Sequence, residues 1–455
     1  MNGIFENIRN IYLSGIGGIG MCGLAEFFLE KGFNVSGSDS TRSAITDKLA
    51  QNGAEITYNQ NGEKITENTD LIIYTSAIRE DNPEFMRAKK LGIKMIKRSA
   101  ALGEIVNKDK LISVSGTHGK TTTTSIIAKV FIDAGEDPTV FVGGLLEILD
   151  GNASRNGSNN ISIAEADEYD RSFHTLRSDI IVITNIEEDH LDIYKDLNDI
   201  KESFKTFVSN SKQRCRIIAC GDDENVRTVL KECSRDNIIY YGFNEDNDEI
   251  ISNVTTSENS ISFDLNSENI MLRIKGKHNI LNSSAAYIAG KICSLDVGSI
   301  KKSLNEFSGV KRRLELKYSN SIKVYDDYAH HPTEVRATLE ALRSSGSKRI
   351  ITVFQPHLFS RTQSFYKEFA DALSGTDILI LNKIYPAREK EIEGVTSELI
   401  KNEMGDKVNS YYSESKGEVF KILNKIRTDN DVIVFMGAGN ITDQCSEYIN
   451  LISAH

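Results

Sequence analysis

Two glycine loops carry the residues best suited to chemistry. Gly15-Ile16-Gly17-Gly18-Ile19-Gly20 fits G-x-G-x-x-G. Glycines there let the backbone turn tightly and bring its N–H groups to a diphosphate at the positive end of a helix. Asp39, about 20 residues further on, stands where an acid would meet a ribose. Read alone, this is a dinucleotide fingerprint, and an NAD-dependent dehydrogenase is the first class it raises. The wider reading is any diphosphate-bearing nucleotide, and the bland one is a packing turn. The second loop, Gly116-Thr117-His118-Gly119-Lys120-Thr121, is two residues shorter than G-x-x-x-x-G-K-[ST]. Its parts still match their jobs: amides to cradle phosphates, Lys120 for the β/γ charge, and the Thr121 hydroxyl for Mg²⁺. Two phosphate loops fit a dehydrogenase poorly. They predict ATP in one domain and a second nucleotide-like substrate in another.

Acids and histidines follow the same logic. Glu165-Ala166-Asp167-Glu168 and Asn185-Ile186-Glu187-Glu188-Asp189-His190-Leu191-Asp192 each follow an apolar run that reads as a strand. Strand C-terminal ends are where parallel sheets place ligand-contacting residues, and oxygen-rich loops suit Mg²⁺ beside ATP phosphates. Glu165 and His190 are the expected metal ligands, whereas Glu187, Glu188 and Asp192 read as solvated loop acids. Of eight histidines, His118, His190, His278, His330, His331 and His357 fall in such segments; His174 lies just beyond the first acidic cluster, and His455 is incidental.

These residues need elements to position them. The chain reads as three blocks, about 1–108, 109–310 and 311–455, each opening with an apolar strand that runs into a functional loop. Strands alternating with helices predict an α/β fold with parallel sheets: a Rossmann-like N-terminal domain, a central P-loop ATPase-like domain, and a Rossmann-like C-terminal domain. Residues 250–274 alternate apolar and polar, which predicts added antiparallel hairpins in the central block. Three domains also follow from 455 residues at about 150 per domain. Charged residues at 26% and a net charge of −11 place the chain among folded globular proteins and exclude a broad nucleic-acid surface. No apolar run reaches the length of a membrane span, no signal-peptide pattern opens the sequence, and the six cysteines form no C-x-x-C pair. The expected compartment is reducing cytoplasm.

Taken together, G-I-G-G-I-G, S-G-T-H-G-K-T-T-T-T, E-A-D-E-Y-D, N-I-E-E-D-H-L-D, G-K-H-N-I-L-N, D-D-Y-A-H-H-P-T-E, F-Q-P-H-L-F-S-R-T and M-G-A-G-N-I resemble the Mur ligase family, in this order and over essentially the whole chain. The short phosphate loop is normal for that family. The resemblance implies ATP-dependent amide-bond synthesis through an acyl phosphate, in cell-wall precursor assembly, with UDP-N-acetylmuramate and L-alanine as substrates. A branch that attaches a whole tripeptide to the same UDP sugar is the runner-up. It also implies that the first glycine loop, with Asp39 and Ser76, holds the UDP sugar. Residues 116–122, including Thr122, would hold ATP, and Thr121, Glu165 and His190 would hold Mg²⁺. His278, Asn279 and Asn282 look like adenine-side or metal-adjacent residues of the ATP site. Asp327 and His330 or His331 would complete the ATP and amino-acid site, with His357 and Arg361 for the amino acid, and Arg312 and Arg313, at the hinge into the third block, would reach the phosphates on closure. Leu358 and Asn440 depart from the family pattern, in which Arg and Asp are common. Lys205 has the spacing of a carbamylated Lys in sibling ligases, but the stripe of Ile200, Phe204, Phe207 and Val208 turns it outward, so it carries no role. The oligomeric expectation is a monomer or weak homodimer.

Overall fold

The computed structural model describes residues 3–76, 78–257, 260–387 and 389–453, so His455 lies outside the described residues. The chain is α/β throughout, with three sheets. The first contains β1 (Asn10–Ser14), β2 (Asn34–Ser38), β3 (Glu55–Thr57), β4 (Leu71–Tyr74) and β5 (Lys94–Lys97) in the order β3-β2-β1-β4-β5. All its pairings are parallel. The strand order reverses at β1, and parallel sheets open a ligand crevice at such a switch point. The first glycine loop leaves β1 at that place.

The second sheet is built on β6 (Lys110–Ser115), β7 (Thr139–Leu146), β8 (Asn152–Arg155), β9 (Ile161–Glu165), β10 (Ile180–Ile183), β11 (Arg216–Cys220) and β12 (Ile238–Gly242). Strand β6 lies between β9 and β10, paired in parallel with both. The loops leaving the C-terminal ends of these three neighbours are the second glycine loop and the two acidic segments. Residues 180–183 (Ile-Ile-Val-Ile) are all buried, because both faces of a parallel sheet are covered. Beyond β12 come β13 (Glu249–Thr256), β14 (Ile261–Leu265) and β15 (Glu268–Leu272), successive neighbours as expected of hairpins. One detail differs: β13 enters parallel to β12, through Tyr241↔Glu249 and Gly242↔Ile250.

The third sheet has the order β16-β17-β21-β18-β19-β20, from β16 (Glu315–Ser319), β17 (Lys323–Asp327), β18 (Ile350–Phe354), β19 (Ile378–Asn382), β20 (Asn409–Ser413) and β21 (Val432–Met436). Only β16 is antiparallel there. Period-two alternation sorts its side chains: Val432, Val434 and Met436 join one apolar cluster, and Ile433 and Phe435 the other.

By compactness the chain forms two units. Residues 1–252, 265–268 and 281–304 make the first, which includes the first sheet and most of the second; residues 253–264, 269–280 and 305–455 make the second. Within the first unit, the helix Ile19–Glu30 packs its buried Glu26 onto the edge strand β8. The Glu26 carboxylate accepts from Ala153 N (3.0 Å), Ser154 N (3.1 Å) and Ser154 Oγ (3.2 Å). Among the described residues no helix is long and apolar enough to cross a membrane.

Candidate active site

At the first glycine loop, Gly15 N and Ile16 N both donate to Ser38 O at 2.9 Å. Gly18 caps the helix Ile19–Glu30 without a side-chain hydrogen bond; Gly18 N and Met21 N are taken by Gly15 O and Gly18 O, and the N–H groups of Ile19 and Gly20 are the ones suited to an anion. Asp39 is brought to this loop and accepts from Gly17 N at 2.9 Å. Its carboxylate thus props the loop itself, and a Cβ at Gly17 would lie 2.8 Å from Asp39 Oδ2. Ser76 donates to Asp170 of the central acidic segment, and Lys97 Nζ reaches the same carboxylate at 2.9 Å. Arg98 lies against Gly20, where a Cβ would stand 2.9 Å from Nη1, and pairs with Asp167 at 3.5 Å. Sequence reasoning missed Lys97 and Arg98. No motif marks them; parallel pairing of β5 with β4 brings them in.

At the second loop, Gly119 adopts φ +84° and Gly116 φ +134°, so a side chain at either is strained. A Cβ at Gly116 would collide with Thr184 Oγ1, and one at Gly119 would lie 2.8 Å from Asn282 Oδ1. Asn185 clamps the loop: its carbonyl accepts from Thr117 N (3.1 Å), its Oδ1 from His118 N (2.8 Å), and its Nδ2 donates to His118 O (3.1 Å). The helix begins at Lys120, two residues earlier than Thr122, which puts Lys120, Thr121 and the buried Thr122 in its first turn.

Lys120 Nζ donates to Gly116 O (2.6 Å), Thr117 O (3.1 Å) and Glu168 Oε1 (2.8 Å). Burial works against the ammonium, but the carboxylates of Glu168, Asp167 and Glu165 outweigh it and hold its pKa above the usual range. Glu168 is shifted the other way. Burial would raise it, yet Lys120 and His190 keep it ionised below its ordinary range. Glu165 is pushed up by burial, against the opposing Lys120 charge and the Gly143 N–H (2.7 Å). Thr121 Oγ1 donates to Glu165 Oε1 at 3.1 Å, so this expected pair does meet. His190 Nε2 instead lies 3.3 Å from Glu168 Oε1, and Glu168 and Asp189 raise the imidazole's pKa against the effect of burial. Glu168 is therefore the hub that sequence reasoning left unassigned within its acidic run.

Two of the supposed solvated acids are engaged. Glu187 N donates to Thr117 Oγ1 (2.9 Å) and its carboxylate lies 3.5 Å from His118 Nε2, while Asp192 accepts from Tyr169 OH (3.1 Å). Glu187 thus lies against the phosphate loop, which spacing alone does not show, whereas Asp192 stays exposed as expected. Glu188 is exposed as expected. Lys205 points outward to Glu202 and Glu232. His174 lies stacked on Phe173 and bonded to Ser203, a structural role.

In the second unit, β17, β21, β18 and β19 end side by side. Asp327, at the end of β17, accepts from Leu314 N (2.6 Å), Ala329 N (2.7 Å) and Thr338 Oγ1 (3.2 Å), and burial raises its pKa to about 6. Arg312 donates to Gly437 O (2.8 Å) and Gly439 O (3.2 Å), and the guanidinium groups of Arg312 and Arg313 stand 4.8 and 5.1 Å from the Tyr328 ring centre. His331 caps the helix Pro332–Ser344 by accepting from Thr333 N. His330 and His357 rings stand 5.9 Å apart, and Arg361, although buried, reaches His357 Nδ1 at 3.5 Å. Leu358 is buried at φ +70°, so it is not placed to act as Arg would, whereas Asn440 is exposed and accepts from Gln355 Nε2 at 2.9 Å. Tyr385, absent from the sequence reading, stacks on His357 at 5.7 Å and covers Gly439, where a Cβ would meet its ring at 2.6 Å. His278 sits in the first turn of the helix Lys277–Ile292, one residue ahead of Asn279. Its pKa is driven down to about 4 by burial and by Arg313.

Models of the Mur ligase family match successively: the catalytic domain at 10–110, the middle domain at 114–290, and the glutamate ligase domain at 312–439. A UDP-N-acetylmuramate–L-alanine ligase of Clostridium tetani is 42% identical, covering 95% of this chain and 96% of its own. That of Agathobacter rectalis is 41% identical, covering 96% and 97%. Among solved structures, UDP-N-acetylmuramate-alanine ligase MurC of Thermotoga maritima superposes with a TM-score of 0.84 at 26% identity, covering 98% of this chain and 99% of that one. A murein peptide ligase of Psychrobacter arcticus superposes at 0.74 with 22% identity, over 97% of this chain and 98% of its own, which speaks for the fold. The chain belongs to the Mur ligase family and is an ATP-dependent ligase that forms an amide bond.

Proposed function

We propose that this chain joins the amine of L-alanine to the carboxylate of UDP-N-acetylmuramate, with ATP as the energy source, in peptidoglycan precursor synthesis. The observation that carries the reading is full-length kinship at about 40% identity to ligases of that name. In it, labour divides by domain: UDP sugar at residues 1–108, ATP at 109–310 and amino acid at 311–455.

The residues fit the roles. Gly15, Gly17, Gly18 and Gly20 with the open helix end receive the diphosphate, and Arg98 adds a cation beside them. A carboxylate is a poor acylating agent, so it must first take the γ-phosphoryl group. Lys120 supplies positive charge to that group as it moves, in a buried setting where one charge counts for more than in water. Thr121 and Glu165, two oxygen donors 3.1 Å apart, suit a hard divalent cation, and the buried Glu168 Oε2 is left without a hydrogen-bond partner. Thr121, Glu165 and His190 would hold Mg²⁺, which when bound neutralises phosphate charge. Arg361 offers a bidentate fork for the amino-acid carboxylate.

The decisive experiment measures phosphate release from ATP with UDP-N-acetylmuramate, with and without each amino acid. Release should require the UDP sugar and L-alanine together. Release independent of both would overturn the reading, and product with a tripeptide but none with L-alanine would move the chain to the peptide-adding branch.

A further inference from the structure

Amide formation has a proton problem that the phosphate chemistry does not solve. L-alanine arrives as an ammonium, which has no lone pair, so a base must act before its nitrogen can attack. Three histidines stand at the strand ends of the second unit, and their hydrogen-bond partners separate them. His331 Nδ1 accepts from Thr333 N, so its lone pair is committed to a helix cap. His357 Nδ1 faces a guanidinium nitrogen of Arg361, which can only donate, so that lone pair is committed too. His330 is arranged the opposite way. Its Nδ1 lies 3.0 Å from Tyr328 O and 3.1 Å from Glu334 Oε2, neither of which carries a hydrogen. Nδ1 must therefore hold the proton, and Nε2 the lone pair.

We infer that His330 and Glu334 form an imidazole–carboxylate dyad in which His330 Nε2 takes the proton from the amino-acid nitrogen and Glu334 fixes the required tautomer. This rests on the amide-forming reading above. Glu334 is a positioning residue, placed one helical turn after His330 and itself held by His330 N (3.0 Å) and Arg313 Nη1 (3.4 Å). Both side chains are largely withdrawn from solvent, at 17% and 13% exposed, so water competes little for the contact between them. The Tyr328 ring at 5.2 Å and the His357 ring at 5.9 Å also face His330.

The step balances. The ammonium gives one proton to His330 Nε2, and the freed nitrogen lone pair forms the bond to the acyl-phosphate carbonyl carbon. The carbon–oxygen bond to phosphate then breaks, its electron pair leaves with phosphate, and the second nitrogen proton goes to that phosphate, which departs as HPO₄²⁻. His330 returns its proton to solvent.

The test separates the two half-reactions in the full chain. Glu334→Gln removes the charge and offers His330 an NH₂ in its place, favouring the wrong tautomer. Acyl-phosphate formation, trapped by borohydride reduction without L-alanine, should stay at the wild-type rate, and amide formation should fall about 10²- to 10⁴-fold. Hydroxylamine, an amine uncharged at neutral pH, needs no base and should give hydroxamate equally fast in variant and wild type. Glu334→Asp should recover part of the amide rate, and His330→Asn should reproduce the split without altering the helix. An equal loss in both half-reactions, or an equal loss with hydroxylamine and L-alanine, would overturn the dyad. Wild-type protein that yields no trapped acyl phosphate would instead refute the ligase reading itself.

Discussion

At the scale of single residues, the centre of the first unit is a charge balance around Lys120 and Glu168. Their side chains are 12% and 3% exposed and 2.8 Å apart. Removing one partner of a buried pair strands the other, at a cost of about 3–5 kcal/mol, whereas replacing both with apolar groups is often neutral. Lys120→Met should therefore lower stability by about that amount, and Lys120→Met with Glu168→Leu should restore most of it, as read from urea midpoints. Phosphate release should fall about 10²–10³-fold in both, because the charge facing the phosphates is lost either way. His278 provides a pH prediction. Its pKa is about 4 when folded against 6.5 ordinarily, so between those values the unfolded chain binds more protons than the folded one. The stability it contributes is complete above pH 6.5 and declines as pH falls toward 4. His278→Gln should flatten that part of the pH dependence in denaturant titrations at pH 7 and pH 4.5. Lys120 was legible from its motif. Glu168 was not, since four consecutive residues of an acidic run look alike until a fold decides which one turns inward.

At the scale of elements, each loop is held by backbone that admits few side chains. Gly116→Ala would put a Cβ into Thr184 Oγ1 and the Asn185 backbone at φ +134°. The loop must shift, so nucleotide affinity should drop while far-ultraviolet dichroism stays unchanged; wild-type affinity measured by calorimetry would contradict this. The Glu26 contact with β8 is a second element-scale device. An edge strand exposes unpaired N–H groups, and a buried carboxylate here takes up two of them. Glu26→Ala leaves Ala153 N and Ser154 N without that acceptor, for an expected loss of about 1–3 kcal/mol, seen as a lower urea midpoint at unchanged slope. The element boundaries were readable because buried parallel strands are continuous apolar runs such as Val432–Met436. Residues 250–274 were read as hairpins, but the parallel entry of β13 beside β12 depends on pairing partners that alternation does not specify.

At the scale of the whole molecule, a net charge of −11 must coexist with anionic ligands. Long-range repulsion is screened beyond about 8–10 Å at physiological salt, so affinity has to come from local donors: two helix N-termini, Lys120, Arg98 and a few other arginines. Ligand then adds to stability by mass action, about 2.7 kcal/mol at one hundred times its Kd. UDP-N-acetylmuramate at that level should raise the unfolding free energy of wild-type protein by this amount. Gly17→Val, whose Cβ would crowd Asp39, should lose the shift when measured at the same ligand concentration.

The sequence by itself determined the α/β class, both glycine loops, the family resemblance and the choice of candidate site residues, because these depend on local spacing: glycines before a helix, a Lys one step after, acids after an apolar run. Only the tertiary structure decided which residues meet. Strand β6 between β9 and β10 brings Lys120, Glu165, Glu168 and His190 together, and the partners of each imidazole nitrogen assign different chemistry to His330, His331 and His357. Neighbouring strands in a parallel sheet are joined by crossovers of many residues, so their pairing order is a long-range property that no short spacing encodes.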